Sequence, residues 1–382
     1  MTSMTQLQNS APASLVETGR RLRDWLAETF LLRGARIPAL DGIRGWAILM
    51  VFNVHFFARY QPKFYFTEPG GAPWTALTII HSGSFGVDLF FFLSGLLVYK
   101  SLMAKPVGAL RFLYDRYRRL LPVIVFVTIY VAADTPPRRL FDNLFFLNIF
   151  DEPPIHFFTW PLVYEMYFYV LCAAVFIGCR RLRFVSGWPF FFALVAALVV
   201  CEFEVRFRIS FSRFLGFFWG VALARLLAGE AGRRALAALP SWTWAVGLGL
   251  LLYCRWLWGS GWFMAAGGNE HLKNLLFFSA VNASLFLVTA SVMTRASILS
   301  RIFSFTPLRF LGIISYSLFM THMLALQITQ NVVGIPVTNV WSMLANHAVT
   351  VLAATGLAMF SFYYLERPYF ARPASPKQAP PR

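Results

Sequence analysis

The chain has 382 residues, of which 58% are hydrophobic, 18% aromatic and only 13% charged. Its 41 Phe alone outnumber the 17 Asp and Glu, and no soluble fold of this length has interior enough to hide so much apolar surface. A formal net charge of +17 would point to nucleic acid in a soluble protein; here it fits the Lys- and Arg-rich loops that set membrane topology, and no nucleic-acid partner is expected.

Read in chain order, the first 36 residues do not form a cleavable signal peptide, because the apolar stretch starts late and no small-residue cleavage site follows it. Ser14 to Leu32, with Arg20, Arg21 and Arg23, reads as an amphipathic helix lying on the cytoplasmic membrane surface. A spanning helix needs about 20 apolar residues. Ten stretches qualify as candidates: 43–60, 81–102, 120–134, 158–178, 184–201, 211–228, 241–258, 274–294, 311–332 and 341–363. The third is short, and 138–150 is ambiguous between an interfacial and a re-entrant segment. Alternating the spans from a cytoplasmic N-terminus puts 22 of the 34 Lys and Arg inside and six outside, which favours both termini in the cytoplasm. The expected fold class is therefore an all-α, polytopic transmembrane helix bundle of about ten spans. Its expected parts are a cytoplasmic segment 1–36, a membrane domain 37–370 and a Pro-rich disordered tail 371–382. No inverted repeat of the kind found in transporters stands out. Cys172, Cys179, Cys201 and Cys254 lie in or beside apolar runs without CxxC spacing and read as small buried hydrophobes.

Ionisable residues inside spans are costly and mark functional sites. Arg44 and His55 stand eleven residues apart in the first span. Eleven residues turn a helix by about 1100°, roughly 20° past three full turns, and rise about 16 Å. The two side chains therefore share one face, with a cation at the inner interface and an imidazole near the outer end. Asp88 in the second span and Glu165 in the fourth fall at about the depth of His55, where either carboxylate can orient an imidazole base. His322, near the middle of the ninth span, is a further site candidate, expected to contact substrate. Arg111, Arg116, Arg118 and Arg119 form a basic cytoplasmic loop with Lys105 before the third span. This cluster suits topology, or a phosphate-bearing ligand matched by guanidinium forks. Glu202, Glu204, Arg206, Arg208 and Arg213 read as a solvated, mutually paired charge run on the outside. His81, His156, His271 and His347 share no metal-ligand spacing, and no metal is expected.

Several ordered motifs resemble the integral-membrane acyltransferase 3 family from about Ile37 to Phe370. They are PALDGIRGWAILMVFNVH, GSFGVDLFFFLSGLLV, RYRRLLP, WPLVYEMYFYVL, ISYSLFMTH and YYLERPYF. The resemblance implies a multi-pass bacterial inner-membrane enzyme that moves an acyl group, commonly acetyl from acetyl-CoA, onto a glycan or other acceptor. It implies that Arg44 and His55 form the family's Arg/His motif, Arg116 and Arg119 its basic CoA-side motif, and Glu165 the acidic position of the fourth-span motif. Leu96 departs from the Phe that many members carry after the SG pair. The fused hydrolase-like domain of some members is absent from these 382 residues, so a second transfer step would need another protein.

The expected function is thus O-acyl transfer from cytoplasmic acyl-CoA to a hydroxyl of an extracytoplasmic or lipid-linked glycan, within a lipid membrane. Arg44 and Arg116, Arg118 and Arg119 would hold the donor's phosphates. His55 would act as general base or receive the acyl group, oriented by Asp88 or Glu165. The competing expectation is a proton-coupled transporter or a flippase-like component of polysaccharide export, which intramembrane His, Asp and Glu would also serve.

Overall fold

A computed structural model describes residues 13–30, 37–60, 71–81, 83–104, 107–147, 154–178, 187–204 and 210–370. Among these, every regular element is helical. In the first half, α1 (Ala13–Thr29) precedes α2 (Pro38–Tyr60), α3 (Ala72–His81) and α4 (Phe85–Ala104). Then α5 (Ala109–Thr128) runs into a 3₁₀ turn, Ile129–Asp134, and α6 (Pro137–Leu144) comes next. A 3₁₀ turn, Phe157–Thr159, leads into α7 (Trp160–Leu171), which continues as a π-helical stretch, Cys172–Gly178. In the second half come α8 (Trp188–Glu204), α9 (Phe211–Ala228), α10 (Glu230–Ala238), α11 (Thr243–Gly259), α12 (Trp262–Ala265) and α13 (Glu270–Thr294). The chain closes with α14 (Ile298–Phe303), α15 (Thr306–Ile313), α16 (Ser315–Ile328), α17 (Val340–Ser361) and α18 (Arg367–Phe370). Two further π turns, Thr329–Val333 and Phe362–Glu366, extend α16 and α17.

Among the described residues, five helical stretches are long and apolar enough to cross a membrane: Phe85–Ala104, Phe157–Gly178, Phe211–Ala228, Glu270–Thr294 and Val340–Tyr369. Two bent pairs raise the number to as many as seven, α10 with α11 at 79° and α15 with Ser315–Val333 at 81°. The sequence expectation was ten, and the differences have local causes. In α2, the polar residues Arg44, Asn53, His55 and Arg59 dilute a 23-residue helix. The apolar part of α8 is short. The expected third span, 120–134, is the C-terminal half of α5 plus a 3₁₀ turn. The basic segment expected as a loop is instead the first part of α5, where Arg111 Nε and Asp115 Oδ2 pair one turn apart at 3.0 Å. The segments 1–12 and 371–382 lie outside the described residues.

Glycines set the closest helix crossings. A Cβ on Gly95 of α4 would lie 1.9 Å from the Phe217 carbonyl oxygen of α9, and one on Gly220 of α9 would lie 1.9 Å from that of Phe92. The same relation joins α2 to the bent pair: a Cβ on Gly45 would lie 1.9 Å from the Leu308 oxygen, and one on Gly312 would lie 1.7 Å from the Asp41 oxygen. Small residues let backbones meet where lipid supplies no hydrophobic drive for helix association. The N-terminal segment is tied in by Phe30, which is buried edge-on to Phe310 of α15 at 5.1 Å and stacks on Phe362 at 5.6 Å.

Candidate active site

The 81° bend before Ser315 lets Ser315 and Tyr316, in the first turn of α16, face a cavity of about 880 Å³ including its mouth. Arg44 from α2, Arg116 and Arg119 from α5, Ser94 from α4, Glu165 and Tyr169 from α7, and Phe319 from α16 also line it. The remaining wall is apolar, with Phe90, Leu97 and Leu162 among its residues.

Three guanidinium groups on two helices thus converge on one cavity. Arg116 lies over the rings of Phe112 and Tyr169, at 5.3 and 5.4 Å. Arg119 Nη2 pairs with Glu366 Oε1 at 3.2 Å, and the other oxygen of that wholly buried carboxylate accepts a hydrogen bond from Ser317 at 3.0 Å. Tyr316 donates its hydroxyl to the Leu120 carbonyl at 2.7 Å, which holds α5 against α16 beside Arg119. Arg44 completes the set from the α2 face that also carries His55.

Glu165 stands among these cations. Its Oε1 accepts from Ser94 at 3.2 Å and from the Tyr169 hydroxyl. Glu366 lies in the YYLERPYF motif that carries the family resemblance, but sequence reasoning assigned it no role. The π turn that ends there turns it inward.

His55 is not among the cavity's lining residues; it adjoins His322, which bonds the carbonyl of the lining Phe319. Its Nδ1 is 2.7 Å from Nε2 of His322, with the two ring centroids 4.8 Å apart and their planes 28° from parallel. His322 Nδ1 in turn contacts the Phe319 carbonyl at 2.6 Å. Phe158 packs edge-on against His322, and Phe157, 59% exposed, packs edge-on against His55 at 5.8 Å. The pairing of two imidazoles was not foreseen, although both residues were singled out.

Three expectations are corrected. Neither carboxylate orients His55: Asp88 is wholly buried, with Arg213 Nη2 3.8 Å from its Oδ2, and Glu165 bonds Ser94 and Tyr169. Depth along a span can be counted from sequence, but the direction a residue faces across the bundle cannot. Arg118 does not line the cavity; it points outward over the Tyr369 ring at 5.1 Å. The outer charge run is not uniformly solvated, because Glu202 is buried, accepting from the Ser212 amide at 2.7 Å with His271 at 3.6 Å. Arg213 lies between the rings of Trp160 and Phe278. Arg206 and Arg208 lie outside the described residues, as do Lys105 and Cys179.

Among the described residues no group of three or more His, Cys, Asp or Glu has an arrangement that could hold a metal ion. A family model described as an acyltransferase domain matches residues 37–364. Peptidoglycan O-acetyltransferase OatA of Listeria monocytogenes is 25% identical over 376 residues, covering 87% of this chain and 55% of that protein. Putative peptidoglycan O-acetyltransferase YrhL of Bacillus subtilis is 25% identical over 389 residues, covering 87% of this chain and 54% of its own length. The chain therefore spans about half the length of these curated relatives. No solved structure matches it. With nearly the whole helical region matched, from the start of α2 to the end of α17, the chain belongs to the acyltransferase 3 family.

Proposed function

We propose that this protein is a membrane O-acyltransferase that moves acetyl from acyl-CoA, bound from the cytoplasmic side, to a hydroxyl of an extracytoplasmic or lipid-linked glycan. The observation that carries the reading is the convergence of Arg44, Arg116 and Arg119 on one cavity whose wall at Phe319 also holds the His322–His55 pair. Guanidinium forks match the phosphate oxygens of CoA, and an imidazole one wall away supplies a base. The relatives' names make a peptidoglycan-type glycan the first acceptor to try.

In this reading the three arginines hold the donor's phosphates, and the acyl end extends past Phe319 toward His55. The acceptor approaches His55 from the side of the exposed Phe157. The acceptor hydroxyl gives its proton to His55 as its oxygen forms the new ester bond to the acyl carbon. The thioester C–S bond breaks, and the imidazolium returns the proton to the departing thiolate. Transfer through an acyl-imidazole uses the same atoms in two steps. Glu165, with Oε1 already engaged, serves the cavity as a hydrogen-bond acceptor for the bound donor. The membrane arrangement that fits this chemistry is the ten-span one with both termini in the cytoplasm, a single unit 37–370 in the bacterial inner membrane.

The test is thiol release from acetyl-CoA by the purified protein, with and without a peptidoglycan-type oligosaccharide, against an activated acetyl ester as alternative donor. Acceptor-dependent thiol release supports the reading. Transfer from the ester with none from acetyl-CoA would remove the CoA donor while leaving an acyltransferase.

A further inference from the structure

We infer that His322 is a positioning residue that fixes the tautomer of His55 and leaves His55 Nε2 as the reacting nitrogen; this rests on the acyltransferase reading above. A carbonyl oxygen carries no hydrogen, so the 2.6 Å contact between the Phe319 oxygen and His322 Nδ1 requires the hydrogen on Nδ1. In the neutral ring His322 Nε2 is then bare. One hydrogen must lie in the 2.7 Å contact between His322 Nε2 and His55 Nδ1, and it comes from His55. A neutral His55 with its hydrogen on Nδ1 presents Nε2 with a free lone pair.

The surroundings favour two neutral rings in the resting site. Neither imidazole touches a carboxylate among the described residues: Asp88 faces Arg213, and Glu165 faces Ser94 and Tyr169. A resting imidazolium would be an uncompensated charge in an apolar setting. Phe158, edge-on against His322, also holds the pair in place.

His322 itself has 0% exposure, so a substrate contact, the role expected from sequence, is not available to it. Its position suits what a carboxylate does in a catalytic triad, which is to hold the imidazole in one tautomer and stabilise the imidazolium as it forms. When His55 Nε2 takes the acceptor's proton, the hydrogen bond from His55 Nδ1 to His322 becomes charge-assisted. His322 needs no change of protonation for this.

The role makes a distinctive demand: position 322 must donate to Phe319 and accept from His55. A Gln amide meets both without being able to take up a proton. The experiment measures kcat and KM for the full-length protein in nanodiscs, with acetyl-CoA and a peptidoglycan-type oligosaccharide. His322→Ala is expected to lower kcat by roughly a hundredfold or more, the scale of a lost base, with donor KM within about twofold. His322→Gln should recover to within about tenfold of the unaltered protein, while His55→Gln stays about a hundredfold down. Should the Ala variant not fold, the two Gln variants decide the matter.

A His322→Gln protein as inactive as His55→Gln would show that the imidazole at 322 is itself needed, and would overturn the inference. Unaltered kcat in His322→Ala would overturn it too. If the unaltered protein transfers acetyl from no donor, the acyltransferase reading fails first. The inference is then read from carbethoxylation of His55 by diethyl pyrocarbonate, detected by mass spectrometry. Equal rates in the unaltered and His322→Gln proteins with a several-fold lower rate in His322→Ala support it, and one rate in all three overturns it.

Discussion

Arginine is used in three different ways within one stretch of α5, and the difference is set by what each guanidinium meets. Arg116 lies over two adjoining aromatic rings at the cavity edge, Arg119 is anchored by a buried carboxylate, and Arg118 lies outside over Tyr369. Arg44 reaches the same cavity from α2. Lys in its place keeps the charge and loses the planar fork, so Arg44→Lys should weaken acyl-CoA binding about tenfold, near 1.4 kcal/mol, without lowering thermal stability. Calorimetry on the purified protein measures this, and an unchanged affinity would leave Arg44 a topological role alone. Arg118→Ala is the matched control and should change donor affinity by less than about twofold, as for an exposed charge. The sequence motif holds Arg116, Arg118 and Arg119 within one short run, and nothing in it separates the outward one from the two that face the cavity. Periodicity does bring Arg44 and His55 to one face, because both lie on an unbroken helix where 3.6 residues per turn apply throughout. The depths of Asp88, Glu165 and His55 could be counted in the same way. Which of them touch depends on how separate helices rotate against one another, and sequence periodicity holds no information on that.

Helix middles supply most of the cavity wall, but a bend and a π turn place some of its polar groups. The bend before Ser315 supplies Ser315 and Tyr316, and the π turn Phe362–Glu366 supplies the partner of Arg119. A π turn adds a residue to a helical repeat and so rotates the residues beyond it, and such turns recur at functional sites. Here Phe362 at its start stacks on Phe30 beyond α1, while Glu366 at its end grips Arg119 and Ser317. Glu366→Gln keeps an oxygen for one of these bonds but removes the charge that holds Arg119. It should raise donor KM several-fold with kcat little changed, whereas Glu366→Ala strips the carboxylate from a buried ion pair and should cost about 3–5 kcal/mol of stability. Steady-state kinetics and thermal unfolding separate the two. If Glu366→Gln left donor KM unaltered, Arg119 would be held by the surrounding packing. The YYLERPYF motif marked the region of Glu366 but not its partners, because a π turn leaves no mark in an apolar run and the bend falls inside a stretch that reads as one span. The glycine contacts belong to the same scale. Gly95→Ala would push a methyl group to 1.9 Å from the Phe217 oxygen, so α4 and α9 must part, at a cost of about 1–3 kcal/mol or more.

At the scale of the whole molecule, the proposed function requires that an acyl donor from the cytoplasm meet an acceptor outside or at the far membrane face. In that reading the donor binds in the cationic cavity on α2, α5 and α16 and reacts at the imidazole pair further along α2 and α16, where His322 bonds the carbonyl of the lining Phe319. The direction of that transfer depends on which end of α2 faces the cytoplasm. Among the described residues five to seven helical stretches satisfy the length and hydropathy requirement, fewer than the ten spans counted from sequence, because α2 carries polar residues and other spans are short or bent. Charge supplies the independent constraint: the ten-span alternation leaves 22 of 34 Lys and Arg on one side and six on the other, and such a bias faces the cytoplasm. That arrangement puts the Arg44 end of α2 inside and the His55 end outside, the order that a cytoplasmic donor and an outer acceptor require. Reporter fusions after Pro376 and within 61–70 should therefore report opposite sides, the first cytoplasmic and the second external. Alkaline phosphatase activity and green fluorescence give complementary readings at each point. If both fusions reported one side, the alternation that sets the direction of α2 would be wrong, and donor entry from the cytoplasm through the arginine-lined cavity would have to be abandoned.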